Sequence, residues 1–184
     1  MTSGPETGVV EIVVADANVL INLTHVSRLG LLARLPGHKF MIPDHVSREI
    51  RRPEQRAQLD AAQNSGDLQL CSIKHLEDIS LFSRLIGRLG RGEAACLVLA
   101  TRHGWTIASD EKGRFRREAV KRVGDRRLIG TPDLYVRAIQ AELLTVEEAD
   151  SDKAVLEGKR FKMTFRSFRE RLAAADTKLP GEGT

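Results

Sequence analysis

The run Val9–Ala15 (VVEIVVA) constrains the fold most, because β-branched and apolar residues follow one another with a single interruption. Such a run is typical of a strand that is buried on both faces of a parallel sheet. Asp16 ends the run, and a stretch with apolar residues at helical spacing follows it at once. The sequence therefore predicts a strand that leads directly into a helix, with an acid at the junction.

Strand-like and helix-like segments alternate along most of the chain. Further strands are predicted at residues 40–42, 68–73, 106–108 and 128–129, and helices at 18–35, 44–51, 54–64, 76–89, 93–103, 113–122, 131–143, 146–157 and 164–174. Alternation of this kind is typical of parallel strands, because each crossover needs a connection long enough to hold a helix. The predicted fold class is α/β, a three-layer α/β/α sandwich with a mostly parallel central sheet.

The chain length of 184 residues fits one domain. We expect a flexible leader at 1–8, the α/β domain at 9–144, a helical extension of the same domain at 145–176 and a frayed tail at 177–184. No apolar run approaches the ~18 residues of a membrane-spanning helix, and the N-terminus lacks the pattern of a signal peptide. We therefore expect a cytoplasmic protein without membrane contact, in which Cys71 and Cys96 are buried thiols.

Basic residues are concentrated in two parts of the chain. Between Ser109 and Arg127 there are eight Lys or Arg residues against four acids, and between Lys153 and Arg171 there are seven against two. A solvated helix face is the simpler interpretation of each cluster, and a surface for nucleic acid is the alternative. Aromatic residues make up only 4% of the chain, so the composition does not indicate a stacking platform for single strands.

Three acids from distant segments are predicted to meet at one edge of the sheet. Asp16 directly follows the first strand, and Asp110 follows the strand at 106–108, so both lie at the carboxyl edge, where open α/β folds bind ligands. The helix that starts at Glu93 runs back into the strand at 106–108 and therefore begins at the same edge. Glu49 lies about one and a half helical turns, or ~7.5 Å, into its own helix, and we expect it to support the site less directly.

Each acid also has a purely structural interpretation, as a helix cap, a partner of the helix dipole or an exposed charge. The convergence favours a functional site, because carboxylates packed together repel one another unless a cation neutralises them. Mg²⁺ prefers oxygen ligands, and such an ion can activate water and stabilise charge on a phosphodiester. A nucleotide-binding domain is poorly supported, since no glycine-rich phosphate loop follows the first strand.

The segments that carry these acids resemble the motifs of the PIN-domain superfamily. They are VADANVLINL (Val14–Leu23), IPDHVSREI (Ile42–Ile50), GRGEAACLVLA (Gly90–Ala100) and TIASDEKGRFRREA (Thr106–Ala119), in the order found in that superfamily. The segment 129–144 is similar to the Gly-Thr-led helix of one prokaryotic PIN branch. By position, the resemblance assigns catalytic roles to Asp16, Glu49, Glu93 and Asp110, and the metal to Asp16, Glu93 and Asp110. Many relatives carry a further acid after the last motif, where this chain has Glu111 next to Asp110 and Asp133 later.

The resemblance implies a nuclease that depends on Mg²⁺ or Mn²⁺, which we expect to be an endoribonuclease and a VapC-type toxin. Its expected partners are an RNA substrate, an antitoxin protein and a second copy of the chain. We expect Asn18 to orient Asp16 or to hold a metal-bound water, and Ser109 to orient Asp110 or only to end its strand. For Thr131 we expect a helix cap, with a hydroxyl contributed to the site as the alternative. Candidates for phosphate contacts are the basic residues of the helix at 113–122, namely Arg114, Arg116, Arg117 and Lys121. The alternatives are a non-catalytic PIN-like protein-binding module and a nuclease that acts on DNA.

Overall fold

A five-stranded sheet forms the middle of the structure, a computed structural model that describes residues 10–176. Its strands are β1 (Glu11–Ala15), β2 (His38–Pro43), β3 (Gln69–Cys71), β4 (Thr106–Ala108) and β5 (Leu128–Ile129). Their spatial order is β3-β2-β1-β4-β5, and every neighbouring pair is parallel. β1 is the central strand, and Val13, Val14 and Ala15 are fully buried, as its sequence predicts.

Helices cover the sheet on both faces, which confirms the predicted α/β/α sandwich. They are α1 (Ala17–His25), α2 (Leu31–Arg34), α3 (Asp44–Glu49), α4 (Pro53–Asn64), α5 (Leu76–Leu85), α6 (Arg91–His103), α7 (Gly113–Val123), α8 (Thr131–Gln140), α9 (Val146–Gly158) and α10 (Phe168–Asp176), with a 3₁₀ turn at Asp125–Arg127. The buried helix α6 packs against α3, α5 and α7, whereas α1 packs against α4, α8 and α9. The expected leader 1–8 and tail 177–184 lie outside the described residues.

All five predicted strands are present, but the single helix predicted over 18–35 is wrong. α1 ends at His25, and Ser27 adopts a left-handed conformation with φ 55° before α2 begins at Leu31. The apolar periodicity continues through the break because Leu29 and Leu35 are buried in the core. The apolar residues at helical spacing across this segment therefore reflect burial in the core and not a continuous helix.

The two C-terminal helices contribute to the central core. Ala149 and Leu156 of α9 and Phe168 of α10 are fully buried in the same apolar cluster as β1. The Asp152 carboxylate also accepts hydrogen bonds from Arg28 Nε (2.8 Å) and from the Tyr135 hydroxyl of α8 (3.1 Å). Cys96 is buried and Cys71 partly buried, and both are free thiols. None of the helices between residues 10 and 176 has the length and apolarity needed to span a membrane.

Candidate active site

Four neighbouring strands end at one edge of the sheet, and each leads into a segment with a polar side chain. β1 leads to Asp16, β4 to Asp110, β5 to Thr131, and β2 to α3, which ends at Glu49. Because the strands are parallel, their carboxyl ends share this edge, where open α/β sheets bind ligands. The topology therefore accounts for the meeting of side chains that are far apart in sequence.

Asp16 is buried at the end of β1, with 3% of its surface exposed. Its Oδ1 accepts a hydrogen bond from the Ala17 N–H (2.8 Å), and its Oδ2 accepts from Asn18 Nδ2 (3.0 Å) and Ser109 Oγ (3.0 Å). Burial is the main reason that the pKa of Asp16 rises from 3.8 to about 7, and the nearby charges of Glu93 and Glu49 raise it further against the opposing hydrogen bonds. The Asp16 carboxylate is therefore fixed in position, and its negative charge is only partly compensated by these hydrogen bonds.

Glu49, the last residue of α3, and Glu93, in the first turn of α6, both accept hydrogen bonds from backbone N–H groups at the start of α6. The Gly92 N–H donates to Glu49 Oε1 (2.8 Å), and the Gly90 N–H donates to Glu93 Oε2 (2.8 Å). A Cβ on Gly92 would lie 2.9 Å from both carboxylate oxygens of Glu49, so only glycine allows this approach without a shift. Gly92 is therefore needed to let the Glu49 carboxylate reach the start of α6, which the sequence alone does not reveal.

Asp110 is held on the other side of the site by α8 and α1. Its Oδ1 accepts from the Thr131 N–H (2.7 Å), and its Oδ2 accepts from Thr131 Oγ1 (2.5 Å) and Asn22 Nδ2 (3.0 Å). Burial raises the pKa of Asp110 against these hydrogen bonds, and the nearby charge of Asp133 raises it further. A Cβ on Gly130 would come within 2.8 Å of Asp110 Oδ1, so this carboxylate also lies close to a glycine.

Asn18 connects the two halves of the site. Its Nδ2 donates to Asp16 Oδ2 and to Glu111 Oε1 (3.1 Å), and its Oδ1 accepts from the Asp110 N–H (3.1 Å). Ser109 donates to Asp16, whereas the sequence suggested that it orients Asp110. Thr131 is the first residue of α8 and follows the N-cap Gly130, so its hydroxyl contacts Asp110 and does not cap the helix.

Asn22 is a site residue that the sequence analysis missed. It is 8% exposed and donates to Asp110 from one turn beyond Asn18. The available signal was the spacing: two Asn residues four positions apart in an otherwise apolar helix lie on the same face and need polar partners.

Comparisons with known proteins gave a family model and a solved structure that are similar to this chain. The family model for the PIN domain matches residues 12–161, which is most of the chain. The chain belongs to the PIN-domain family. PIN domains are typically divalent-metal-dependent nucleases. A crystal structure of PAE2754 from Pyrobaculum aerophilum is similar at 14% identity and a TM-score of 0.45, covering 72% of this chain and 92% of that one. None of the curated proteins matches the chain.

The acids of this PIN domain have the ligand type and the charge that a divalent cation prefers. Within residues 10–176, none of Asp16, Glu49, Glu93 and Asp110 forms a salt bridge with a basic side chain. Their oxygens are hard ligands with unbalanced negative charge, which Mg²⁺ or Mn²⁺ would neutralise. In the same range no three Asp, Glu, His or Cys side chains are already gathered around one point, because several carboxylates face backbone N–H groups or Thr131.

The basic residues predicted to bind phosphate lie along α7, and a second set lines a cleft beside Asp110. Arg114, at the start of α7, donates to the Arg88 carbonyl (3.1 Å), and Arg116 forms a salt bridge with Asp125 (2.5 Å). Arg117 is exposed in the middle of α7, and Lys121 lies ~12 Å along the axis from its first residue. A cleft of about 500 Å³ opens beside Asn18, Asn22 and Asp110, and its opposite wall is formed by residues 159–162. The sequence analysis noted this second basic cluster but did not place it.

Proposed function

We propose that this PIN domain is a metal-dependent endoribonuclease that hydrolyses RNA phosphodiesters, and that it is the toxin of a toxin–antitoxin pair. The observation that carries the proposal is the buried Asp16 carboxylate, whose pKa is raised to about 7 and which lies beside the charges of Glu93 and Glu49. A structural cap would not require further acids around it. Neighbouring carboxylates repel one another unless a cation binds, so the charges of Glu93 and Glu49 near Asp16 favour a metal site.

In this proposal Asp16, Glu93 and Asp110 bind the metal, and Glu49 is an outer catalytic carboxylate. A divalent ion held there would activate a water molecule and neutralise charge on the phosphodiester. Asn18 and Ser109 hold Asp16 in one orientation, and Thr131 and Asn22 do the same for Asp110. Because these partners are hydrogen-bond donors, they favour the ionised carboxylates that a metal needs.

Exposed cations of α7, namely Arg114, Arg116, Arg117 and Lys121, would contact phosphates on the outer part of the bound strand. RNA as the substrate is supported by the family resemblance, and the protein would act in the cytoplasm. An antitoxin that places a basic side chain among the carboxylates would inhibit the enzyme, because it would satisfy the same charge as the metal. A homodimer is the assembly proposed on the same resemblance.

The test is cleavage of a labelled RNA and of a single-stranded DNA of matching sequence, each with Mg²⁺, Mn²⁺ or EDTA. We expect RNA cleavage that requires the metal and falls at least ~100-fold in Asp16→Asn, since a ligand of the catalytic ion is lost. Asp67→Asn is the matched control, because Asp67 is an exposed acid that precedes β3 at the opposite edge of the sheet. Its activity should equal that of the wild type.

The other outcomes separate the alternatives. Preferred cleavage of DNA would keep the nuclease and reject RNA as its substrate. Absence of cleavage together with absence of Mn²⁺ binding by calorimetry would reject the enzyme and favour a PIN-like protein-binding module. Mn²⁺ binding that Asp16→Asn leaves intact would reject Asp16 as a ligand.

A further inference from the structure

We propose that the loop between α9 and α10 forms the phosphate-binding wall of the active-site cleft, through Lys159, Arg160 and Lys162, with Lys112 facing them. This inference rests on the proposed nuclease function and adds the residues that hold the substrate strand beside Asp110. All four cations line the cleft of about 500 Å³ that also contains Asn18 and Asp110. A polyanion such as RNA is the ligand that this combination favours, because a row of cations beside a metal site attracts phosphates.

The loop cations are available for a ligand. Lys112, Lys159, Arg160 and Lys162 are exposed, and none of them forms a salt bridge within residues 10–176. In α7, by contrast, Arg116 is paired with Asp125, and Arg122 is paired with Glu118. Arg114, Arg117 and Lys121 of α7 also form no salt bridge within residues 10–176. The loop cations differ because they line the cleft beside Asp110, whereas the cations of α7 do not.

The backbone of the loop is fixed. α9 ends with two hydrogen bonds of the Schellman type, from the Arg160 N–H to the Glu157 carbonyl (3.1 Å) and from the Phe161 N–H to the Leu156 carbonyl (3.0 Å). Phe161 packs against the core. Arg160 has φ 71°, in the left-handed region where glycine is the usual residue. An arginine at a position that favours glycine is a local cost, which indicates a use for its side chain.

The position of the loop suggests a path for the strand. A second cleft of about 200 Å³ adjoins the first, since Asp110, Lys112, Phe161 and Lys162 line both. Lys112 and Lys162 therefore accompany Asp110 in both clefts. A third cleft of about 290 Å³ is lined by Lys159 and Arg52, together with the acid Glu54, so cations continue along the surface beyond the first cleft. A strand that follows this surface would pass its backbone across Asp110.

The test measures RNA binding separately from cleavage. In an Asp16→Asn background with EDTA, binding of a short fluorescein-labelled RNA is followed by anisotropy between about 50 and 200 mM salt. The loop variant is Lys159→Ala, Arg160→Gly and Lys162→Ala. The matched control is Arg34→Ala, Lys39→Ala and Arg126→Ala, which removes the same charge from exposed residues that precede or begin β2 and β5, at the amino edge of the sheet. A third variant, Arg114→Ala, Arg116→Ala and Arg117→Ala, tests α7.

We expect the loop variant to bind RNA at least ~10-fold more weakly and its dependence of log K on log salt to be shallower by about two, as for three lost phosphate contacts on a single strand. The amino-edge control should match its parent, and the α7 variant should lose less affinity than the loop variant. Arg160→Gly alone should bind RNA more weakly while its melting temperature stays equal or rises, because glycine suits φ 71°.

The proposal would be overturned by equal losses in the loop and amino-edge variants, by a larger loss in the α7 variant, or by no RNA binding of the Asp16→Asn parent at low salt. Stronger binding of DNA than of RNA would overturn RNA as the ligand of the loop. Absence of cleavage in the wild type with loop-dependent RNA binding intact would reject the nuclease and leave the loop assignment standing. Cleavage by the loop variant at the wild-type rate would keep the nuclease and reject the loop as its phosphate-binding wall.

Discussion

Asp16 has two functions that usually conflict in a folded protein. It accepts the Ala17 N–H at the start of α1, as a helix cap does, and it also lies buried beside two other acids. Burial and the charges of Glu93 and Glu49 oppose its ionisation, whereas Ala17 and Ser109 favour it. The residue therefore makes the metal-free protein sensitive to pH in the neutral range.

We expect the metal-free protein to lose stability as pH rises from about 4 to about 7. The folded-state pKa of Asp16 is about 7 and its ordinary value is 3.8, so within this window the folded state binds the extra proton. One such group lowers the free energy of unfolding by about 1.4 kcal/mol for each pH unit across the window. Chemical denaturation in EDTA at several pH values would measure this.

The comparison with Asp16→Asn isolates the effect of this residue. The variant has no carboxyl group to titrate, so its free energy of unfolding should fall less between pH 4 and 7 than that of the wild type. Addition of Mg²⁺ should recover stability of the wild type at pH 8 and not of the variant, because a ligand of the folded state stabilises it. Parallel pH profiles for the two proteins would contradict the assignment.

Single elements were predictable where local sequence and tertiary environment agree. The end of β1 (residues 13–15) and the middle of α6 (residues 94–100) are apolar, and both are buried. The spacing of apolar residues failed at 26–30, because Leu29 is buried in a turn as completely as a helical residue would be. The carboxylates of Asp16 and Asp110 could be placed at one edge because parallel strands impose it. The hydrogen bonds from Gly92 to Glu49 and from Thr131 to Asp110 could not be predicted, since they depend on how separate elements pack.

The start of α6 provides a test of this packing. In Gly92→Ala the new Cβ would lie 2.9 Å from both Glu49 oxygens, so the Glu49 carboxylate must leave its present position. We expect affinity for Mn²⁺ and the rate of cleavage to fall about 10-fold or more, which is the usual effect of losing a partner that orients a metal site. Calorimetry and the cleavage assay would measure both.

Gly87→Ala is the control for this substitution, because a Cβ at Gly87 has no neighbour within 4 Å. It should leave metal affinity unchanged. Loss of stability in Gly92→Ala without any change in Mn²⁺ affinity would mean that Glu49 only satisfies the N–H group of Gly92. Glu49→Gln would then also bind Mn²⁺ normally.

At the scale of the whole molecule, the C-terminal helices join the core and the site. α9 packs on α1 and α8, and the loop that follows it reaches the cleft beside Asp110. The sequence predicted the helices and the excess of basic residues, but their position depends on contacts with residues more than a hundred positions away, such as Arg28 with Asp152. Such contacts leave no local pattern, so this wall of the cleft could be found only in three dimensions.

The contact between Arg28 and α9 predicts how strongly the C-terminal helices are attached. Arg28 pairs with buried Asp152 at 2.8 Å and with exposed Glu148 at 3.6 Å. Asp152→Ala removes the buried partner of Arg28 and of the Tyr135 hydroxyl, so we expect a loss of about 2–4 kcal/mol in the free energy of unfolding. Glu148→Ala removes a screened pair on the same arginine and the capping-box contact with the Thr145 N–H, and it should cost less than Asp152→Ala because both contacts are exposed. Urea denaturation should show one transition in both variants, because α9 shares the central core; a separate early transition in Asp152→Ala would show that the C-terminal helices unfold on their own.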